Sequence, residues 1–233
     1  MLGIISDNIN NVMTQVKEIC EKKGQDYNNV TVIAVTKTID TARIKEAIDS
    51  GITDIGENKV QEIMDKYEDV KDIANIHLIG HLQSNKIKYI IDRVKLIHSV
   101  DSLSLMKEID KRAAKADVIA NILIQVNVAE EESKFGIKMD EVEDFMIIAS
   151  QYNNIRIKGL MTIAPYAENP EDVRLIFRAL KEKYDKLTSE KYKNVEMKYL
   201  SMGMTNDYHV ALEEGSNMVR IGTGIFGKRI YNR

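Results

Sequence analysis

Val32-Ile33-Ala34-Val35-Thr36 is an unbroken run of strand-forming residues, and Lys37 closes it. A strand that is apolar at successive positions is buried on both faces, the condition met in parallel sheets covered by helices. Seven more short β-rich runs follow, at residues 53–56, 76–80, 96–100, 121–128, 155–161, 195–201 and 218–222, which with 30–36 makes eight. Between them the apolar spacing changes to the helical period, most clearly in Val173, Ile176, Phe177, Leu180, Tyr184 and Leu187. A second helical stripe, Ile5, Ile9, Val12, Val16 and Ile19, precedes the first strand. Eight strands alternating with helices in 233 residues predict an α/β fold, a single closed (β/α)8 TIM-type barrel over 1–233. The segment 1–24 is an extra N-terminal helix packed on that barrel. A doubly wound open sheet is the structural alternative. Both prolines fall in Thr162-Ile163-Ala164-Pro165-Tyr166-Ala167-Glu168-Asn169-Pro170, which reads as one long loop.

Composition narrows the functional classes. Hydrophobic residues make up 44% and charged residues 30%, enough apolar matter for a substantial core. The 33 basic and 36 acidic side chains leave a net charge of −3, so no overall basic field attracts a phosphate backbone, and nucleic acid is not expected as a partner. No stretch of ~18 apolar residues exists to span a membrane. No Lys or Arg precedes Lys17, which argues against a leader peptide. Cys20 stands alone, excluding an internal disulfide and any thiolate metal cluster. The expectation is a soluble cytoplasmic protein, a monomer rather than an obligate dimer.

In (β/α)8 barrels the chemistry gathers where the strands end. The expected ends here are Thr36-Lys37-Thr38, Gly56-Glu57-Asn58, Gly80-His81, Asp101, Asn127, Met161-Thr162, Ser201-Met202-Gly203-Met204-Thr205 and Arg220-Ile221-Gly222-Thr223-Gly224. Strand alternation puts Lys37 on the side of Ile33 and Val35. A lysine at the edge of a barrel interior loses solvation, which favours its neutral amine and suits it to imine formation. The alternative is a lysine that snorkels past the rim to solvent. The loops 201–206 and 222–224 combine hydroxyls with glycines that admit close backbone approach, and barrels commonly bind phosphate between these two loops. The alternative is that the glycines merely permit turns. Thr205 or Asn206 is the expected N-cap of the following helix. In Met218-Val219-Arg220-Ile221, alternation turns Arg220 away from Val219 and Ile221 toward the barrel mouth, unless a carboxylate holds it in a structural ion pair.

Three other patterns carry no function on this reading. Gly222-Thr223-Gly224-Ile225-Phe226-Gly227 matches a dinucleotide fingerprint but lacks the long helix, second strand and distant acidic residue that the motif requires. His77 and His81 are spaced like a helical zinc pair, yet they lie in a strand, where four residues span ~13 Å. His98 and His209 add no second cluster, so no metal site is expected. Lys86, Lys88, Arg93 and Lys95 form a solvated helix face rather than a nucleic-acid contact.

The motifs Ala34-Val35-Thr36-Lys37-Thr38, Ile55-Gly56-Glu57-Asn58-Lys59-Val60-Gln61-Glu62, His77-Leu78-Ile79-Gly80-His81-Leu82-Gln83-Ser84-Asn85-Lys86, Gly159-Leu160-Met161, Leu200-Ser201-Met202-Gly203-Met204-Thr205-Asn206-Asp207 and Val219-Arg220-Ile221-Gly222-Thr223-Gly224-Ile225-Phe226-Gly227 together resemble the pyridoxal phosphate homeostasis protein family. The likeness is long, specific and in order along the chain. Thr36 and Thr205 stand where serine is common, and Ile76 where tryptophan is common. The resemblance implies a barrel like the N-terminal domain of alanine racemase, with pyridoxal 5′-phosphate (PLP) bound as an imine to Lys37. It also implies that Ser201, Gly222 and Thr223 hold the phosphate, that Arg220 faces the pyridine nitrogen, and that Asn58, His81 and Met202 line the ring.

The implied function is PLP homeostasis or delivery without robust turnover, with amino acids as partners in external imines and PLP-dependent apo-enzymes as possible recipients. The competing readings are a PLP-dependent amino-acid racemase or decarboxylase, and a cofactor-free aldolase using Lys37. A cofactor-free aldolase would be colourless. A racemase of the similar fold carries a β-rich C-terminal domain whose tyrosine serves as a base in the partner subunit, whereas this sequence has only a few residues after the eighth strand. An arginine on the ring nitrogen donates no proton readily, which makes PLP a weaker electron sink. The carrier reading is therefore preferred.

Overall fold

Aliphatic and β-branched residues build eight strands: β1 (Thr31–Val35), β2 (Asp54–Glu57), β3 (Asn75–Leu78), β4 (Leu96–Val100), β5 (Ala120–Gln125), β6 (Ile155–Met161), β7 (Val195–Met204) and β8 (Met218–Ile221). The computed structural model describes residues 3–131 and 134–228. Within it the strands run parallel in sequence order, and β8 pairs back onto β1, with Ile33 opposite Arg220, so the sheet closes into a barrel. The open-sheet alternative is thereby excluded. Helices alternate with the strands: α1 (Ile4–Lys23), α2 (Thr41–Asp49), α3 (Val60–Val70), α4 (Leu103–Ala116), α5 (Val142–Ala149), α6 (Arg174–Ser189), α7 (Tyr208–Glu213) and the short α8 (Thr223–Phe226).

Strand alternation divides the core into two parts. Val32, Ala34, Leu200, Met202, Val219 and Ile221 belong to the large cluster that also takes in the buried helix residues. Ile33, Leu96, Leu123, Met161 and Met218 form a separate small cluster with Ile163 and Tyr199. These side chains alternate with the outer set, so they fill the barrel interior. A polar group shares that interior: Asp54, His77, His98, Ser201 and Arg220 are all buried.

The N-terminal stripe forms α1 as expected, burying Ile5, Ile9, Val12, Val16 and Cys20. Gly24 ends it in the left-handed region at φ 66°, which a glycine adopts without a Cβ penalty. The Asn8 amide donates to the Ile225 carbonyl at 2.9 Å, and Tyr208 bonds Gln15, tying this helix to α7 and α8.

Two local expectations change, and one, the loop after β6, holds. Lys86 and Lys88 lie on a 3-10 segment, residues 84–89, while Arg93 and Lys95 lie beyond it, so the four do not share one helix face. The loop after β6 runs over residues 162–169, as its composition suggests, and ends at a 3-10 turn, Pro170–Val173. The helix after β7 begins only at Tyr208, behind Asp207, and neither Thr205 nor Asn206 caps it. Among the described residues no helix is long and apolar enough to cross a membrane, and no group of three or more His, Cys, Asp or Glu side chains is placed to hold a metal ion.

Candidate functional site

The turn after β1 is held from both sides. Thr36 donates through its hydroxyl to Glu57 Oε1 at 2.7 Å, and Lys66 Nζ donates to the Thr36 carbonyl at 2.9 Å and to the same Glu57 oxygen at 2.7 Å. The Thr38 amide donates to Glu62 Oε2 at 2.6 Å. Thr38 itself has φ 63°, a strained conformation for a β-branched residue, and it turns the chain away at once. Lys37 lies between these two anchored neighbours, half-buried at the rim. Burial pushes the Glu57 carboxyl up in spite of the bonds and charge of Lys66 and the Thr36 bond.

Lys37 opens onto a cavity of about 320 Å³ at the C-terminal mouth of the barrel. Val35, Asn58, Ile79, Gly80, His81 and Arg220 line it too, so four of the expected site residues, Lys37, Asn58, His81 and Arg220, meet in one space. Gln125, Phe135, Ile163 and Met204 complete the lining and were not singled out in the sequence. Phe135 stacks on His81 with ring centroids 3.9 Å apart, and the Gln125 amide donates to the Phe135 carbonyl at 3.0 Å. Asp101 lies 3.7 Å from His81 Nδ1, with its carboxyl pushed up by burial against the attraction of that imidazole. A second groove, of about 560 Å³ and lined by Lys59, Gln61, Met64, Lys86 and Tyr89, also has Asn58 and His81 in its wall and so adjoins the first.

Arg220 is 3% exposed. Its Nη1 donates to Ser201 Oγ at 2.5 Å and its Nη2 to the Thr162 carbonyl at 2.8 Å. A hydroxyl and a carbonyl thus answer the guanidinium, not a contacting carboxylate, among the described residues. Burial lowers its pKa to about 10, opposed by the more distant charge of Asp207, so it remains a cation at neutral pH.

Two of the expected residues face elsewhere. Ser201 is fully buried, and its hydroxyl touches Arg220 and His98 inside the barrel rather than the loops at the mouth. Met202, its neighbour, points by alternation to the opposite side and packs in the outer layer with the helices. The residue that meets the loop after β8 is Thr205: its hydroxyl accepts from the Gly222 amide at 3.2 Å and the Gly224 amide at 3.3 Å. Gly222 is half-buried and Thr223 exposed at this corner. A Cβ built on Gly222 would meet only Val35, at 3.6 Å, an ordinary van der Waals contact, so a side chain there forces nothing to move.

The fold and its mouth cavity define a class, the barrels of the alanine racemase N-terminal domain family, which matches residues 6–230. Within that class the chain belongs to the pyridoxal phosphate homeostasis protein family. It is 42% identical over 226 residues to the pyridoxal phosphate homeostasis protein of Aquifex aeolicus, covering 97% of this chain and 98% of that one. Among solved structures it is similar to an unknown protein from Bifidobacterium adolescentis, with a TM-score of 0.91 and 33% identity over 95% of this chain and 94% of that one. It is also similar to PipY of Synechococcus elongatus with PLP bound, with a TM-score of 0.78 and 29% identity over 91% of this chain and all of that one (100%).

Proposed function

We propose that this chain binds PLP at the barrel mouth through the Lys37 amine and serves as a holder and donor of the cofactor, without fast turnover of its own. One observation carries the reading: Lys37, Asn58, His81 and Arg220 share a single cavity of about 320 Å³, a size within the ~300–1,000 Å³ of small-molecule sites. The PLP bound to a PipY relative supports it. When bound, PLP supplies an aldehyde that condenses with amines and a ring that withdraws electrons.

The chain's own residues do the rest. The anchored turn 36–38 presents the Lys37 amine to the cavity from a fixed backbone. At the corner of the loop after β8 the Thr205 hydroxyl accepts from the Gly222 and Gly224 amides, which leaves its own hydrogen to donate, and a phosphate there would take that hydrogen and compete with Thr205 for the two amides. Ser201 supports the site from beneath through Arg220 instead of meeting the phosphate. Asn58 and His81, the latter stacked on Phe135, form the wall shared with the adjoining groove. Arg220 is the residue assigned to the ring nitrogen, and as a cation it presents donors only and keeps its proton. The test is an absorbance spectrum of the protein loaded with PLP: a visible band present in the parent chain and lost in Lys37→Ala supports the reading, and an equal band in both overturns it.

A further inference from the structure

A line of buried polar side chains runs through the barrel from the mouth toward the opposite end. Arg220 Nη1 lies 2.5 Å from Ser201 Oγ, and that oxygen lies 3.2 Å from His98 Nδ1. His98 Nε2 is 3.0 Å from His77 Nδ1, and His77 Nε2 is 2.9 Å from Asp54 Oδ1. Every member is less than one-tenth exposed. At the far end Thr53 donates to Asp54 Oδ2 at 2.6 Å, and Lys95 Nζ lies 3.7 Å from Oδ1 beside a small cavity that also has His77 in its wall.

Hydrogen bonding allows one assignment of the protons when both rings are neutral. Asp54 is an acceptor only: burial disfavours its carboxylate, but the hydrogen bonds from His77 and Thr53 and the charge of Lys95 outweigh that and lower its pKa. His77 must then carry its proton on Nε2, which leaves Nδ1 as an acceptor. That acceptor requires the His98 proton on Nε2, which leaves His98 Nδ1 as an acceptor in turn. Ser201 supplies the hydrogen to it and receives one from Arg220, which can only donate. The reverse order would set two bare acceptors, His77 Nε2 and the Asp54 carboxylate, against each other at 2.9 Å.

We propose that Asp54, His77, His98 and Ser201 are positioning residues for Arg220, joined in one polarised hydrogen-bond relay in which every proton is donated away from Arg220 and toward Asp54. The relay adds the Asp54 carboxylate, at four bonds' remove, to the charge of Asp207 that acts on the buried guanidinium, and each bond polarises the next. It also commits the Ser201 hydroxyl inward and fixes the plane of the guanidinium from below. None of this depends on the cofactor, since the relay consists of the chain's own side chains.

The test is nitrogen-15 NMR of the full chain at neutral pH without added PLP. Both His77 and His98 are expected as neutral rings protonated at Nε2. A proton on Nδ1 of either ring, or an imidazolium at His77 donating in both directions, overturns the assignment. The second arm removes the far anchor. In Asp54→Ala the exchange of the Arg220 Nη protons with solvent is expected to rise about ten-fold, the scale of one charge-assisted bond weakened. Leu123→Ala hollows the same interior and removes no member of the relay, and there the ring shifts and Arg220 exchange stay near those of the parent. Arg220 exchange that is unmoved by Asp54→Ala, or that moves equally in Leu123→Ala, overturns the positioning role. If Asp54→Ala fails to fold, Thr53→Val weakens the same anchor by one bond and is read in the same way. Loss of PLP binding with the ring assignments intact would refute the proposed function and leave the relay standing.

Discussion

Ser201 Oγ sits between the Arg220 guanidinium at 2.5 Å and the His98 ring at 3.2 Å, beneath the floor of the mouth cavity. In this arrangement the Ser201 hydroxyl is engaged inward, by Arg220 and His98, and away from the rim. Thr205, with its hydroxyl against the Gly222 and Gly224 amides, is the better placed of the two to meet a phosphate. Thr205→Ala is therefore expected to weaken PLP retention about ten-fold, given the ~1.5–3 kcal/mol of a bond to a charged acceptor. Pyridoxal, which lacks the phosphate, should bind Thr205→Ala and the parent alike. Ser201→Ala should weaken both ligands by similar factors, because it disturbs Arg220 and not the phosphate corner. Equilibrium titration of each variant with both ligands checks this; selective loss of PLP in Ser201→Ala would restore Ser201 to the phosphate site.

Two glycines at the mouth are expected to respond differently to alanine. A Cβ on Gly80 would lie 2.3 Å from the Asn58 carbonyl oxygen and 2.8 Å from its Cα, so backbone must move. Gly80→Ala should cost ~1–3 kcal/mol of stability and displace Asn58 from the cavity wall. Gly222→Ala finds only an ordinary contact at 3.6 Å and should leave the denaturation midpoint nearly unchanged while weakening PLP. Urea melts and PLP titrations of the two variants separate a packing glycine from a ligand-facing one.

Acid should destabilise the protein in two stages. Burial holds both interior histidines below the ordinary value of 6.5, His98 further than His77, with the charges of His77 and Arg220 adding to the effect on His98. Below about pH 6.5 the unfolded chain takes up protons at these rings and the folded chain does not, so stability falls as pH drops. Each ring contributes up to ~1.4 kcal/mol per pH unit in that window. Asp54 runs from its ordinary 3.8 down to about 2 in the folded state, so its contribution persists to about pH 4 and is lost below it. Urea midpoints measured from about pH 7.5 to about pH 5 should decline in the parent and decline less steeply in His98→Asn. A flat parent curve over that range would show that the rings take up protons in the folded state.

The strands were legible because burial on both faces writes itself as continuous apolar runs, as in Val32-Ile33-Ala34-Val35. The mouth residues Lys37, Asn58, His81 and Arg220 were legible as polar groups where those runs stop. The orientation of Ser201 had a signal too: Leu200 and Met202 flank it and both face outward, so period-two alternation turns it into the barrel. His77 and His98 stand 21 residues apart, and only the pairing of β3 with β4 brings their rings together. Thr205 reads locally as a helix cap, and its partnership with Gly222 and Gly224 depends on the strands' closing order. The 3-10 form of residues 84–89 left no mark in the apolar spacing that a helix period would not also leave.

Slow chemistry at the substrate α-carbon is expected from Arg220, a cation with no proton to release near neutral pH. Alanine incubated with PLP-loaded protein in heavy water should exchange its α-hydrogen far below ordinary enzyme turnover of ~1–10³ per second. Exchange and racemisation at such rates would favour a racemase instead.

Borohydride reduction of the PLP-loaded chain, followed by peptide mapping, addresses the attachment itself. One reduced pyridoxyl adduct is expected, on the peptide containing Lys37, and it should be absent from Lys37→Ala, which keeps its fold because a half-buried rim lysine contributes little to the core. An adduct mapping chiefly to Lys59 or Lys86 in the adjoining groove, or one that survives unchanged in Lys37→Ala, would contradict the assignment of Lys37 as the residue that holds PLP.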